Sequence, residues 1–430
     1  MINNNIYKTI NFIPYLEYKD NNLEIEGNAI LEIVQQYPTP LFLFIPNRFE
    51  QNYKELKTSL NKSIPNFLIT YAMKANYLGR VLKHANNLGL GIEVMSIFEI
   101  LLAEKAGFDS ENFIFNGPAK STSELEHTIQ KRIRYLNVDS LNELKLIEKI
   151  AEKKNIQQPI TVRIHPQLSE KTEKRLLIKK NSKLGIDYSR GVKLFEYAEK
   201  SPNLNPTGVH IHVGTNIISH DFYEELLGFV NNYIIDLENK KQIQIQEINL
   251  GGGLASKSIL DENNFSFEKL GRQIATKIDN IEEKLVILEP GRYLVEDSFI
   301  AITKVIRTKK SWGRKWAFVD IGANSLIPMR YSEYRIIPTY YKGKGQYCNI
   351  GGPLCLPVDV VTSEAVDFEI EEEDLLVVLN CGAYTLSMSE QFGYPRPAIY
   401  ELEHEGTIKL LKPSDDIDQM VNESFWSEKT

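Results

Sequence analysis

Between about residues 65 and 292 the chain repeats one alternation eight times: a short, apolar, β-prone run followed by a longer stretch. The runs fall at 67–72, 91–95, 112–116, 134–138, 160–164, 208–213, 247–250 and 285–288. Amphipathic segments with helical spacing lie between them, at 78–88, 97–106, 121–130, 141–153 and 221–239. Eight strands alternating with helices over about 230 residues is the count of a (β/α)8 TIM barrel. A doubly wound open sheet is the alternative, although it more often shows about five to seven strands.

After Arg292 the grammar changes. Segments 293–305, 315–320, 334–338, 366–370 and 375–379 read as strands, with few helical stretches and with GKG, GGP and CGA as turn signals. This predicts a C-terminal all-β domain, of β-sandwich or Greek-key type, over 293–430. The apolar run 41–45 precedes the eight-fold pattern. Residues 1–38 are therefore expected to complete the β domain, and 39–292 to form the barrel.

Composition removes most other classes. Apolar residues are 42%, charged residues 25%, and Gly and Pro number 25 and 18, ordinary values for a globular chain and unlike a disordered or collagenous one. The longest apolar runs, 41–45 and 375–379, fall far short of the roughly 20 residues a bilayer requires. The first residues lack the basic start and apolar stretch of a signal peptide, and three scattered cysteines make no disulfide framework. A cytoplasmic protein is expected. Fifty basic against 57 acidic residues, net −7, disfavours a broad nucleic-acid footprint. The acidic run 371–374, followed at once by an apolar segment, reads as a solvated turn.

In barrels of this kind the chemistry sits at the C-terminal ends of the strands. The first strand runs into Tyr71-Ala72-Met73-Lys74-Ala75-Asn76. By itself Lys74 reads as a lysine snorkelling to solvent, but a desolvated lysine has a lowered pKa and forms Schiff bases. The seventh strand ends in Gly251, Gly252 and Gly253, whose missing Cβ atoms let backbone N–H groups approach an anion. The eighth ends in Glu289-Pro290-Gly291-Arg292, at the usual phosphate site of these barrels. A lone GGG is often only a tight turn; Gly291-Arg292 on the next strand adds weight to phosphate. His210 and His212 share a face of the sixth strand, but no further ligand completes a metal set. A flat imidazole packed on an aromatic cofactor explains them as well, and His210 reads best as a core histidine. A lysine, an anion cradle and a carboxylate at one mouth are what pyridoxal phosphate requires. Glu289 beside a pyridine nitrogen at about 4 Å would gain about 4 kcal/mol at an effective dielectric near 20, keeping the ring protonated as an electron sink.

These residues carry a resemblance over nearly the whole chain. The motifs are YAMKAN around Lys74, HVGT from His212, NLGGG through Gly253, EPGR from Glu289, GGPLC ending at Cys355, and GAYT containing Tyr384. In this order the chain resembles the pyridoxal-phosphate decarboxylases of the alanine-racemase-like fold, the group with ornithine and diaminopimelate decarboxylases. The resemblance implies that Lys74 binds the cofactor aldehyde, His212 stacks on its ring and Glu289 meets the pyridine nitrogen. It places Thr215, Gly252, Gly253, Arg292 and Tyr384 around the phosphate, and Glu93, Glu99 and Arg163 at the cofactor end. It implies a homodimer in which Cys355, donated by the partner, protonates or guards the carbanion, and Asp359 pairs across the interface with Lys183. Without the family Cys355 would read as a small buried residue; Cys348 and Cys381 read as structural.

The chain departs from the family twice. The position after the cysteine is usually acidic and binds a distal amine, but here it is Leu356. The stretch Asp320 to Pro328 lacks the arginine of diaminopimelate decarboxylases, and Arg330 stands out of register. Since a buried unpaired ammonium costs several kcal/mol, the expected substrate is an amino acid with a non-cationic or tethered remainder, from specialised biosynthesis. The GPLC-x-P-x-D pattern looks more like such decarboxylases, one of which acts on a carrier-bound glutamyl group. The alternatives are diaminopimelate decarboxylase, an amino-acid racemase, and a non-catalytic cofactor-handling protein.

Overall fold

The structure, a computed structural model, describes residue 6 and residues 9–173, 182–326, 334–362, 365–403 and 406–425. It divides into two compact units, Gln51–Leu294 and Met1–Glu50 with Val295–Thr430. Among the described residues no helix is long and apolar enough to cross a membrane.

Strands β1 (Leu16–Lys19), β2 (Asn22–Ile25) and β3 (Asn28–Ala29) form a small antiparallel sheet ahead of β4 (Leu41–Phe44). Eight parallel strands then close into the barrel: β5 (Phe67–Ala72), β6 (Gly91–Val94), β7 (Phe113–Phe115), β8 (Tyr135–Val138), β9 (Gln158–Arg163), β10 (Leu204–His210), β11 (Glu247–Asn249) and β12 (Leu285–Leu288). They run in chain order, with β12 paired to β5. Buried Ile114, Tyr135 and Ile287 pack together, with Leu68 and Leu285 against them.

Serine sets the length of the strand-to-helix turns. Ser96 accepts from the Glu99 N–H and starts helix Ile97–Ala106; Ser140 does the same with Glu143 for Leu141–Lys154. Ser121 and Glu124 form a reciprocal capping box on Thr122–Lys131. Side chains at the third helical position also reach back to the preceding turn: Glu99 accepts from Met95 N–H at 2.8 Å and Glu143 from Asp139 N–H at 2.8 Å. The helix after β10, His220–Ile235, runs on into a wider turn, Asp236–Lys240.

The second unit is a nine-stranded mixed sheet built on β13 (Phe299–Ser311). The first part of β13 lies between β4 and β18 (Leu375–Leu379), and its second part turns back as β14 (Arg314–Val319). β15 (Arg335–Pro338) pairs with β18, β16 (Lys344–Gly351) runs parallel to β14, and β17 (Val366–Phe368) covers β16. β19 (Ala398–Leu402) pairs with β4, and β20 (Ile408–Lys412) closes the edge.

Three expectations shift. The unit boundary falls at 50/51 rather than 38/39, because β4 sits between β13 and β19 with all four residues buried. A strand covered on both faces reads as a continuous apolar run wherever it belongs. Segment 293–305 is not all strand: Arg292–Val295 and Glu296–Ser298 are helical turns, and β13 starts at Phe299. Buried Asp297 there takes Arg48 Nη2 at 2.7 Å and Nε at 3.1 Å, a paired charge that no apolar strand core would hold. β16 begins among glycines that read as a turn, and only its second half is buried. Residues 371–374 do form a turn, and Lys304, Arg307 and Lys342 pair with its carboxylates.

Candidate active site

Lys74 stands on a 3-10 turn, Met73–Ala75, directly after β5. The register of β5 on β6 sets Ala72 beside Glu93, and the Lys74 ammonium pairs with the Glu93 carboxylate. Glu93 is buried while the Lys74 side chain keeps 29% of its exposure, so the amine is held in place yet remains reachable. Of the two readings the sequence left open for this lysine, the structure supports the one inside the barrel mouth.

A buried set of amides holds the two carboxylates of the site. Asn116 Nδ2 donates to Glu93 Oε1 at 2.8 Å and to Glu289 Oε2 at 3.1 Å. Asn137 donates to Asn116 Oδ1, and Thr161 donates to Asn137 Oδ1. From the other side Asn249 Nδ2 donates to Glu289 Oε1 at 2.7 Å and to the Tyr135 hydroxyl at 2.9 Å, while its Oδ1 accepts from Gly251 N–H at 2.8 Å. Asn116 and Glu289 follow β7 and β12, Asn249 ends β11, and Asn137 and Thr161 lie within β8 and β9, so the closed sheet itself sets their spacing. Burial pushes the Glu289 carboxyl up, but His210, Lys74 and Asn249 outweigh it and hold the group well below the usual carboxylate range. Burial and then the Glu93 charge raise Glu99 to about 7.

The two histidines separate. His212 lies beyond the end of β10 and accepts from Gly252 N–H on Nδ1 at 3.1 Å, which puts its proton on Nε2. Burial, then Arg163 and Lys74, push it down to about 3, so the ring is neutral. His210 was expected to be a core histidine, but its Nε2 lies 3.5 Å from Glu289 Oε2. It belongs to the site, and burial holds its ring below the ordinary range although Glu289 opposes this.

The glycine loop is shaped by contact. Gly251 and Gly253 have φ of +67° and +108°. A Cβ on Gly252 would meet Glu289 O at 2.3 Å, and one on Gly253 would meet Gly214 O at 2.7 Å. Beside the loop Arg292 is buried and donates from Nε to Thr215 Oγ1 at 3.3 Å. A Cβ on Gly291 would meet Ala75 Cβ at 2.9 Å, so the turn after β12 presses on the turn that carries Lys74. Arg163, the last residue of β9, is also buried and donates to His212 O at 3.4 Å.

The barrel unit thus brings together Lys74, Glu93, Glu289, His212, Arg163, Thr215, Arg292 and the three glycines. An amine, a fixed anion, a neutral flat ring and a side-chain-free cradle beside a buried guanidinium fit pyridoxal phosphate. Cys355, Leu356, Asp359 and Tyr384 are carried by the β unit. Tyr384 adopts φ +66° at the start of helix Thr385–Met388, and Cys355 is exposed. Lys183 is exposed on the loop before helix Tyr188–Ala198; Arg330 lies outside the described residues. Asn116, Asn137, Asn249 and Tyr135 escaped the sequence reading. Their signal was a polar side chain at the end of, or inside, an otherwise apolar barrel strand.

Comparison with known proteins gives the geometry its relatives. Residues 48–296 match the family described as "Pyridoxal-dependent decarboxylase, pyridoxal binding domain". The chain is 32% identical to diaminopimelate decarboxylase of Aquifex aeolicus over 416 residues, 96% of this chain and 98% of that one. It is 28% identical to the L-glutamyl-[BtrI acyl-carrier protein] decarboxylase of Niallia circulans, across 94% of this chain and 98% of that one. The crystal structure of M. jannaschii diaminopimelate decarboxylase with L-lysine superposes with a TM-score of 0.87 at 26% identity, covering 96% of this chain and 98% of that one. With the barrel's motif residues gathered at one mouth and more than half of its length matched, the chain belongs to the pyridoxal-dependent amino-acid decarboxylases, which are carboxy-lyases.

Proposed function

We propose that the protein removes the α-carboxylate of an amino acid whose far end is uncharged or tethered, as a homodimer with active sites shared between two copies. The observation that carries the substrate reading is the loop 352–359. Its one acid, Asp359, has both oxygens engaged within its own unit, Oδ1 by Ala323 N–H and Oδ2 by Leu354 N–H, each at 2.7 Å. Leu356 beside the exposed Cys355 is itself 36% exposed. The loop therefore has no carboxylate to spare for a distal ammonium, and leaving such a charge unpaired costs several kcal/mol.

Pyridoxal phosphate, when bound, supplies an electron sink for the pair left at Cα as CO2 departs. Lys74 would hold its aldehyde end, and Thr215, Gly252, Gly253, Arg292 and Tyr384 its phosphate. Glu289, kept anionic, would hold a proton on the pyridine nitrogen, and neutral His212 would pack on the ring without adding charge. Glu93 steadies Lys74 Nζ as an ammonium, which makes that atom a proton donor when it is free. Cys355 Sγ of a second copy would be the other donor.

Similarity to the diaminopimelate decarboxylases supports a second reading, free meso-diaminopimelate as substrate. One assay separates the two: CO2 release from meso-diaminopimelate against release from a glutamyl-carrier conjugate. Preference for the conjugate is expected, and robust turnover of the free diamino acid would overturn the tethered reading.

A further inference from the structure

The β unit has a cavity of about 600 Å³ beside the loop 352–359. Its wall is the hairpin of β13 and β14, in which Ser311 faces Arg314 and Lys309 faces Trp316. Residues opposite one another across a sheet share a face, so both cations and the aromatic ring look into one space. Trp316 and Phe318 stack at 6.2 Å and 13°, and Lys309 Nζ lies 5.1 Å from the Phe318 ring centre. Leu354, Leu356 and Pro357 form the other wall.

Two features set this cavity apart from ordinary surface. The hairpin turn is Trp312-Gly313, with φ of +51° and +74°. Such two-residue turns favour Asn, Asp and Gly, yet here an indole is held in the left-handed region and is 99% exposed. The cations also lack carboxylate partners. Lys304, Arg307 and Lys342 on the same unit all have carboxylate partners, but among the described residues Lys309 and Arg314 have none. Asp359, which also lines the cavity, is held by backbone N–H groups instead.

We propose that this cavity binds an organic phosphate, with the phosphate between Lys309 and Arg314 and the organic part against Trp312 and Trp316. A guanidinium fork and a second cation suit a phosphate, and the indole faces suit the apolar group that carries it. The inference rests on the tethered-substrate reading, because the cavity shares Leu356 with the loop that carries Cys355. The phosphate ester would be the arm of a carrier protein or a nucleotide linked to the substrate.

The test uses the full-length holoenzyme with Trp426→Phe, so that only Trp312 and Trp316 emit. Tryptophan emission is followed on titration with pantetheine 4′-phosphate, with AMP, with unphosphorylated pantetheine and with inorganic phosphate. A saturable change is expected with a phosphate ester and not with unphosphorylated pantetheine. The better of the two esters tells a carrier arm from a nucleotide. Lys309→Gln with Arg314→Gln should weaken that binding about tenfold or more with cofactor absorbance unchanged. A response to inorganic phosphate equal to that of the esters would overturn the role of the aromatic wall. No response to either ester, with KM for a carrier-tethered substrate unmoved in the double variant, would overturn the site while leaving the substrate reading intact. Ester binding together with turnover of free meso-diaminopimelate alone would uphold the cavity and sink the substrate reading.

Discussion

The barrel mouth and the loop around Cys355 are both polar, but they are held in opposite ways. In the barrel, Asn116 and Asn249 fix Glu289 from two sides; Asn116 is in turn held by Asn137 of the next strand, and Asn249 by the Gly251 N–H of its own loop. Around Cys355, Asp359 fastens the loop through two backbone N–H groups and leaves Cys355, Leu356 and Val358 exposed. A satisfied buried network specifies one geometry, whereas a loop pinned at one residue changes its exposed positions freely. On the proposed reading the barrel fixes the cofactor chemistry, while the loop sets substrate choice beside one proton donor, Cys355, so changes at Glu289 and at Leu356 should affect different quantities.

The largest effect should come from Lys74→Ala. It removes the group proposed to hold the cofactor, which is also the ammonium paired with Glu93, so CO2 release should fall about a thousandfold or more. Borohydride treatment should then fix no chromophore on the chain. Glu289→Gln should lower kcat about a hundredfold with a smaller change in KM, because it removes the fixed charge while its one amide oxygen, at the Oε1 position, still accepts from both Asn116 and Asn249. A KM effect larger than the kcat effect would break the division between the two regions.

Glu99 tests the barrel through stability. Its folded pKa of about 7 lies above the ordinary 4.5, so between those values the native state binds a proton that the unfolded chain does not. Its charge therefore destabilises the fold increasingly as pH rises through that window, by about 3 kcal/mol once pH is above 7. Glu99→Gln keeps an acceptor for Met95 N–H and removes the charge. Its urea midpoint should exceed that of the parent at pH 8, with the gain shrinking to within about 1 kcal/mol at pH 5. Equal gains at both values would mean that burial and the Glu93 charge do not hold the carboxyl up.

Much of this was legible in the sequence because parallel strands with short turns deliver their C-terminal residues to one place. Lys74, Glu289, His212 and the three glycines each follow an apolar run, and closing the barrel makes such positions neighbours. The amide network was not legible, since asparagine at the end of a short run reads as a turn signal whether it faces solvent or a carboxylate. Strand β4 was misplaced because full burial erases the alternation that marks which sheet a strand joins. Trp312 was hidden for the opposite reason: nothing in Ser311-Trp312-Gly313-Arg314 resembles the Asn-Gly that announces a two-residue hairpin turn.

The smallest effect expected, and the sharpest test of the loop, is Leu356→Glu. Leu356 is exposed beside Cys355, so a glutamate there needs no repacking and supplies the counter-charge that Asp359 cannot. A charged hydrogen bond to a distal ammonium is worth about 1.5–3 kcal/mol. The variant should gain about tenfold or more in kcat/KM for meso-diaminopimelate, mostly through KM. The pH profile of kcat should not move, because the substitution leaves Cys355 and the barrel groups in place. A gain carried by kcat would instead mean that the loop helps set the reacting geometry, and the separation between where the chemistry is fixed and where the substrate is chosen would fail.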